Sequence, residues 1–361
     1  MRILVNMPSQ FGGRPSGVAR VTFCLLEQLL EQTSHDYVLR SPWTREQLPA
    51  ALRNSRLALE VTPRPGFIIF DVFRQALTMP RLCRRLGIDA ILNADPFGTP
   101  TGSKRRVTIV HDLYFKTIPE QIGRRAVFTI NVIFQMVLSG SHHVVSVSEA
   151  TQRDLAKWYP STAGKATTIH SASTLDVTPS EETGQPPVDG HYLLAVGNAT
   201  WNKNFAVLAD AFAKLSKRHP DLCLVHVGKD DDEEIRTAIQ DPTVKERVIR
   251  LQGIDDVQLG ALYRHARALV IPSLYEGFCL PVLEAQERDC PVVCSNLSAT
   301  PEIAGKGAIT FDPRNADDAA RAIEAILTDE TAAARLRALG KVNAAQFSWK
   351  TAAKAYSALF A

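Results

Sequence analysis

Ile271–Glu284, reading IPSLYEGFCLPVLE, is the stretch that decides the fold. It overlaps a short apolar run, ALVIPS (Ala268–Ser273), with the length and composition of a strand buried in a parallel sheet. Pro281 then falls in the first turn of a helix-forming run, where its missing N–H would have no partner anyway. The order is strand, short loop, helix N-terminus. In open parallel sheets ligands bind outside the carboxyl ends of the strands, and the free amides of a helix start suit phosphate. Two carboxylates bracket the turn: Glu276 on the loop and Glu284 in the first turn of the helix. Between them Gly277 lets the backbone approach a ligand closely. Ionised carboxylates only accept hydrogen bonds, so the pair suits a ligand rich in hydroxyls. Without further context, one carboxylate complementing a helix dipole and one solvated loop residue explain the same letters.

Working outward, a length of 361 residues suits two domains, and 45% hydrophobic with 22% charged residues is the composition of a soluble globular protein. No run approaches the roughly 20 apolar residues that span a bilayer. The start, MRILVNMP, reads as a strand and not as a signal peptide, because no basic segment precedes a long apolar one. The six cysteines form no C-x-x-C pair. They are expected to be reduced, mostly buried thiols of a cytoplasmic protein, and no Cys/His spacing fits a metal. Charge is uneven. Through Ser180 there are 21 Lys+Arg against 13 Asp+Glu, a net of +8, and the remainder holds 20 against 25, or −5. A basic first half points to an anionic partner such as a membrane surface or a lipid phosphate.

With GF and LP inside it and a strand before it, EGFCLPVLE resembles the E-x7-E signature of the family 4 retaining glycosyltransferases. Their fold, GT-B, is two Rossmann-like, doubly wound parallel-sheet domains facing across a cleft. The resemblance implies that Glu276 contacts hydroxyls of the donor sugar and that Glu284 holds the nucleotide ribose. Gly277, Phe278, Cys279 and Leu280 form the donor-facing turn between them.

The rest of the chain can be read in order beside it. Arg2–Asn6 is a first buried strand, followed by PSQFGGRPSGVARV and a helix to about Leu30. Strand, glycine-containing loop and helix make the phosphate-binding unit of doubly wound sheets. G-x-G-x-x-G and G-x-x-x-x-G-K-[ST] are both missing, so nicotinamide and P-loop readings lose ground. Gly12, Gly13 and Gly17 resemble the family's first loop, which implies donor contact at Gly17, acceptor contact at Gly13, and Arg20 turned toward the ligand. Glycines serving only the tight turn is the alternative. YVLRS and AILNA are further strands with the basic helix PRLCRRL between them, and Thr62–Phe70 has no clear assignment.

RRVTIVHDLYF is a strand (Val107–Val110) with His111 and Asp112 at its carboxyl end. It is similar to the family's HDL segment, which places His111 by the reacting centre and Asp112 on the acceptor side. GRRAVFTINVIFQMVLSG is a helix. It is read either as core or, by the resemblance, as an acceptor-side helix touching the membrane interface. HVVSVSEATQ is a strand and then a helix capped by Ser148, and the resemblance sets Ser148 by the acceptor. Thr178–Gly190, rich in Pro, Gly and acidic residues, is the linker.

In the second half, YLLAVG precedes Lys203-Asn204, similar to the family's VG…KN segment. There Lys203 meets the donor diphosphate as a point charge. Asn198 and Asn202 stand where many members carry a second cation, so the diphosphate meets one fewer positive charge unless Arg20 supplies it. Gly228 closes the next strand, and Ile254 is the expected nucleobase contact through backbone groups. ATPEIAGKGAITFDP also resembles the family. The final helix, SWKTAAKAYSALFA, resembles the one that crosses back to the first domain.

The expectation is an acceptor domain over residues 1–180, a donor domain over 181–345 and a returning helix over 346–361. The expected activity is metal-independent, configuration-retaining transfer of a hexose from a nucleotide sugar, with His111, Glu276 and Lys203 as catalytic residues. GDP-mannose is favoured over a UDP-hexose as the donor, and no other cofactor is expected. The acceptor is a saccharide or lipid-linked glycan precursor. The protein is placed in the cytoplasm, with peripheral contact to the membrane through its basic half and no nucleic-acid partner. The rivals are a nucleotide-sugar epimerase or hydrolase of the same fold, and a non-catalytic glycan- or membrane-binding protein.

Overall fold

The short apolar runs become strands of two parallel sheets in a computed structural model. It describes residues 1–7, 15–63, 66, 68–175, 186–229 and 242–360, with backbone alone at 68 and 243. The glycines at 12 and 13, and 178–185 of the expected linker, lie outside the described residues.

The first sheet contains β1 (Arg2–Asn6), β2 (Asp36–Ser41), β3 (Ala58–Val61), β4 (Ala90–Asn93), β5 (Arg105–Val110), β6 (His143–Ser146) and β7 (Ala166–Thr168). Its order is β3-β2-β1-β4-β5-β6-β7. The second contains β8 (His191–Val196), β9 (Leu222–Val227), β10 (Val248–Leu251), β11 (Ala268–Ile271), β12 (Val292–Ser295) and β13 (Ala308–Phe311), in the order β10-β9-β8-β11-β12-β13. All pairings are parallel. Every residue of β4, β11 and β12 is buried, as continuous apolar runs require when helices cover both faces. In each sheet the direction of winding reverses beside the first strand, between β1 and β4 and between β8 and β11. A doubly wound sheet offers its ligand crevice at that switch point.

The longer helices are α1 (Gly17–Gln32), α2 (Ile68–Leu86), α3 (Arg124–Gly140), α4 (Glu149–Trp158), α5 (Phe205–Ser216), α6 (Asp256–His265), α7 (Leu280–Glu287), α8 (Ala316–Thr328), α9 (Glu330–Ala344) and α10 (Trp349–Ala358). Their starts follow the capping rules. Ser16, Ser148, Asp255 and Ser348 each accept a bond from a first-turn amide.

Two elements differ from expectation. β3 was not foreseen: it is a partly exposed edge strand with no apolar run. α2 extends back through the unassigned segment to Ile68 and carries Pro80 in its interior, whereas only its basic end is visible in the letters. An interior proline leaves the carbonyl four residues earlier without its helical donor. Here that carbonyl, on Ala76, accepts a bond from the Thr101 hydroxyl at 2.6 Å.

The chain divides into two compact units, Met1–Ala172 with Ser348–Ala361, and Ser173–Phe347. In the first, α10 packs on α1; its Ala353 and Tyr356 are buried, as is Phe360 just beyond it.

Candidate active site

In the second unit the loop after β11 is tied down before it presents Glu276. Leu274 N–H donates to Asn202 O at 2.8 Å, and Asn202 Nδ2 donates to Tyr275 O at 3.3 Å. Ser298 locks Glu276 from behind: its hydroxyl accepts from Glu276 N–H at 2.7 Å and donates to Glu276 O at 2.8 Å. The Glu276 carboxylate then meets Lys203, with Nζ to Oε1 at 2.6 Å, and the same oxygen accepts from Ser273 Oγ at 2.6 Å. Both charged groups are mostly buried yet retain exposure, 23% for Lys203 and 11% for Glu276.

Lys203 is delivered by a single turn, Trp201–Lys203, that ends at Asn204 in the left-handed conformation (φ 53°). Asn204 holds that shape by donating to Pro272 O at 3.1 Å and Pro313 O at 2.6 Å. Gly228 is explained by packing. Its φ is +156°, and a Cβ there would stand 2.1 Å from Gly197 O. The side chain of Asn198 accepts from Lys229 N–H at 3.1 Å, joining the turns after β8 and β9.

Cys279 is the residue immediately before α7. It is buried and left-handed (φ 84°), a conformation that costs a side-chain-bearing residue about 1 kcal/mol or more. Burial pushes its thiol well above the usual cysteine range, reinforced by the Glu276 charge and opposed by Lys203. Gly277 is half-buried and Phe278 buried beside it, with the Phe278 ring edge-on to Phe347.

Glu284 is 5% exposed and held at both oxygens. Thr174 Oγ1 donates to Oε1 at 3.1 Å and Tyr263 OH donates to Oε2 at 3.0 Å. Burial, and then the Glu284 charge and bond, keep the Tyr263 phenol protonated far above its ordinary range. Ile254 sits half-buried on the loop between β10 and α6.

In the first unit, His111 and Asp112 follow β5 directly. His111 Nε2 bonds Ala94 O at 2.8 Å. A carbonyl can only accept, so this ring nitrogen carries the hydrogen and Nδ1 is left as an acceptor. Desolvation pulls the His111 pKa down to about 4, the carbonyl bond opposing it, so the ring is neutral at pH 7. Asp112 is half-buried and accepts from Tyr114 N–H at 3.4 Å. Arg20 lies half-buried on the first turn of α1. Gly17 begins that helix with open space where a Cβ would stand. Ser148 is fully buried, its hydroxyl accepting from Thr151 N–H and donating to Thr151 Oγ1, both at 3.1 Å. That side chain serves the helix cap. Gly13 lies outside the described residues.

The structure brings the two expected residues Lys203 and Glu276 into contact; the sequence reading missed Ser273, Ser298, Thr174 and Tyr263. Hydroxyls carry little signal in one dimension, and Thr174 lies 110 positions from its partner.

Two doubly wound sheets of this strand order, one with an ion-paired lysine and glutamate at its switch point, define the GT-B class of glycosyltransferases. Comparison with known proteins fixes the family. Residues 15–176 match "Glycosyltransferase Family 4" and residues 178–342 match "Glycosyl transferases group 1". The O-antigen chain mannosyltransferase B of Escherichia coli is 30% identical over 274 residues, covering 73% of this chain and 71% of that protein. A sucrose-phosphate synthase from Thermosynechococcus elongatus shares the fold with a TM-score of 0.79 at 18% identity, over 100% of this chain and 98% of that one. Anabaena Alr3699/HepE, solved in complex with UDP and glucose, follows with a TM-score of 0.74 at 16% identity over 99% and 98%. The chain belongs to the family 4 glycosyltransferases. Among the described residues no helix is long and apolar enough to cross a membrane.

Proposed function

We propose that the protein transfers a hexose, mannose in preference, from a nucleotide sugar to a saccharide acceptor with retained anomeric configuration. The Lys203–Glu276 pair at the switch point of the second sheet carries this reading. In the free protein the two charges satisfy each other. When the donor arrives, Lys203 turns to its diphosphate and Glu276 to its sugar hydroxyls, so each partner already waits where the new bond is needed. Glu284, clamped by two hydroxyls, takes the ribose, and the backbone at Ile254 meets the base.

The bond from the anomeric carbon to the diphosphate breaks and one to the acceptor oxygen forms on the same face. A diphosphate oxygen takes the acceptor's proton. The charge on the departing diphosphate is met by Lys203 and the backbone amides of the 277–280 turn, without a metal. Glu276 fixes the sugar and does not attack it. The neutral His111, its Nδ1 accepting, stands on the acceptor side with Asp112. GDP-mannose is favoured because the relative named above is a mannosyltransferase; UDP is the nucleotide held by HepE.

The acceptor is a lipid-linked or cell-surface glycan precursor, and the first unit rests on the membrane that carries it. Phe70, Phe73 and Leu77 form an exposed row on α2 (70%, 48% and 74% exposed), with Phe128 of α3 also exposed. The two helices share an apolar core of Val72, Ile133 and Val137, and exposed Arg81, Arg84, Arg124 and Arg125 supply positive charge for anionic headgroups.

Thermal unfolding with GDP-mannose, UDP-glucose, GDP and UDP tests the donor, since a ligand that binds only the folded state raises the midpoint. GDP-mannose should stabilise most. No response to any nucleotide refutes the reading. Rapid epimer formation from donor alone would show an enzyme that needs no acceptor.

A further inference from the structure

Arg40, the penultimate residue of β2, has no ion-pair partner among the described residues. It is 8% exposed. Arginine is rarely so buried without a carboxylate partner, because losing the hydration of a cation costs several kcal/mol. Its bonds go to neutral oxygens: Nη1 donates to Asn6 Oδ1 at 2.8 Å and to Gln75 Oε1 at 3.4 Å. Glu60 and Asp71, the acids whose charge reaches it, are paired with Arg85 and Arg74, each at 2.7 Å.

The amides are fixed from behind. Asn6 Nδ2 donates to Gln75 Oε1 at 3.0 Å and to Asn93 Oδ1 at 3.1 Å, while Gln75 Nε2 donates to Phe97 O at 3.4 Å. Asn93 Nδ2 in turn donates to Thr108 Oγ1 at 3.0 Å. With their nitrogens spent in this way, the Asn6 and Gln75 oxygens face the guanidinium and hold Nη1. What is left is the edge carrying Nε and Nη2, the fork whose two parallel N–H groups match a carboxylate or phosphate. Neither nitrogen has a hydrogen-bond partner among the described residues, and neither is sealed from water. Asn6 and Asn93 are the last residues of β1 and β4, so this fork lies beside the switch point of the first sheet.

We propose that Arg40, held by Asn6 and Gln75, is an oxoanion subsite that takes a phosphate-type group carried by the sugar acceptor. This rests on the transferase reading above and narrows the acceptor to an anionic one. A neutral acceptor would leave the fork and its buried charge without purpose. The net charge of +8 through Ser180 favours the same ligand at longer range.

The test uses the full chain with GDP or UDP saturating the donor site and inorganic pyrophosphate as the probe. Pyrophosphate should raise the wild-type melting midpoint further. Arg40→Gln, which keeps a donor for Asn6, should need at least tenfold more pyrophosphate for the same rise while keeping its response to nucleotide. Arg40→Lys, with the charge but not the fork, should fall between them, and it carries the comparison if the glutamine variant does not fold. Polyprenyl diphosphate in detergent micelles is run in parallel. Arg40-dependent binding of both probes assigns the anion to a lipid carrier, and of pyrophosphate alone to a soluble phosphorylated acceptor; either supports the subsite. Equal pyrophosphate responses in wild type and Arg40→Gln, or none in wild type, overturn it. A missing nucleotide response would instead indict the donor site, and the pyrophosphate comparison would still stand.

Discussion

At the carboxyl end of the second sheet charge is matched: Lys203 and Glu276 neutralise each other, and Glu284 is held by two hydroxyls. At the carboxyl end of the first, Arg40 has no ion-pair partner among the described residues and faces amide oxygens, and His111 is kept neutral. Under the proposed transfer a matched pair separates at modest cost, because a nucleotide sugar would bring an anion for the lysine and hydroxyls for the glutamate. An unmatched group would be satisfied only by its ligand. The two units share a winding pattern, so the contrast comes from the side chains at their strand ends.

Removing one member of the matched pair should break the contrast most visibly. Glu276→Ala is expected to lower turnover by about 100- to 1,000-fold, the scale of losing a preorganised polar contact in an active site. Its circular dichroism and melting midpoint should stay near wild type. Turnover within a few-fold of wild type would remove Glu276 from the chemistry.

The first unit should show its neutral histidine in the pH dependence of stability. The folded pKa of His111 is depressed to about 4 from 6.5, so between those values the unfolded chain binds the extra proton. Stability tied to this residue is complete above about pH 6.5 and falls as pH drops toward 4. The upper bound is about 3 kcal/mol, from 1.36 kcal/mol per pKa unit, and the partial exposure of the ring reduces it. Denaturant titrations from pH 7 to 4 should show a shallower decline in His111→Gln; an unchanged slope would refute the assignment.

The smallest effect sharpens the picture of Glu284. Tyr263→Phe deletes one of its two clamping hydroxyls, a loss of about 1 kcal/mol, or roughly fivefold weaker nucleotide binding. 2′-Deoxynucleotides should lose less than ribonucleotides. Equal losses for both would mean that Tyr263 supports the fold and not the ribose contact.

How much of this could be read in one dimension depended on the kind of interaction. Buried parallel strands are continuous apolar runs, so β1, β5, β8, β11 and β12 were legible, as was the strand–turn–helix around Glu276. β3 was not, because an edge strand needs no apolar run, and α2 was cut short at Pro80 because its remedy, the Thr101 hydroxyl, comes from another segment. Lys203 and Glu276 were legible as a resemblance, but their contact at 2.6 Å was not. Arg40 looked like one more arginine of a basic half. Only the strand pairing that sets Asn6 beside it shows a buried cation with no ion-pair partner among the described residues.

The return of α10 to the first unit has a consequence for biosynthesis. The α1 surface that it covers is synthesised well before α10, the helix that packs there. Arg105, on β5, also donates to the carbonyl of Phe360. The first unit therefore keeps an apolar face uncovered until α10 has been made. The second unit, continuous in sequence, can close on itself before α10 emerges.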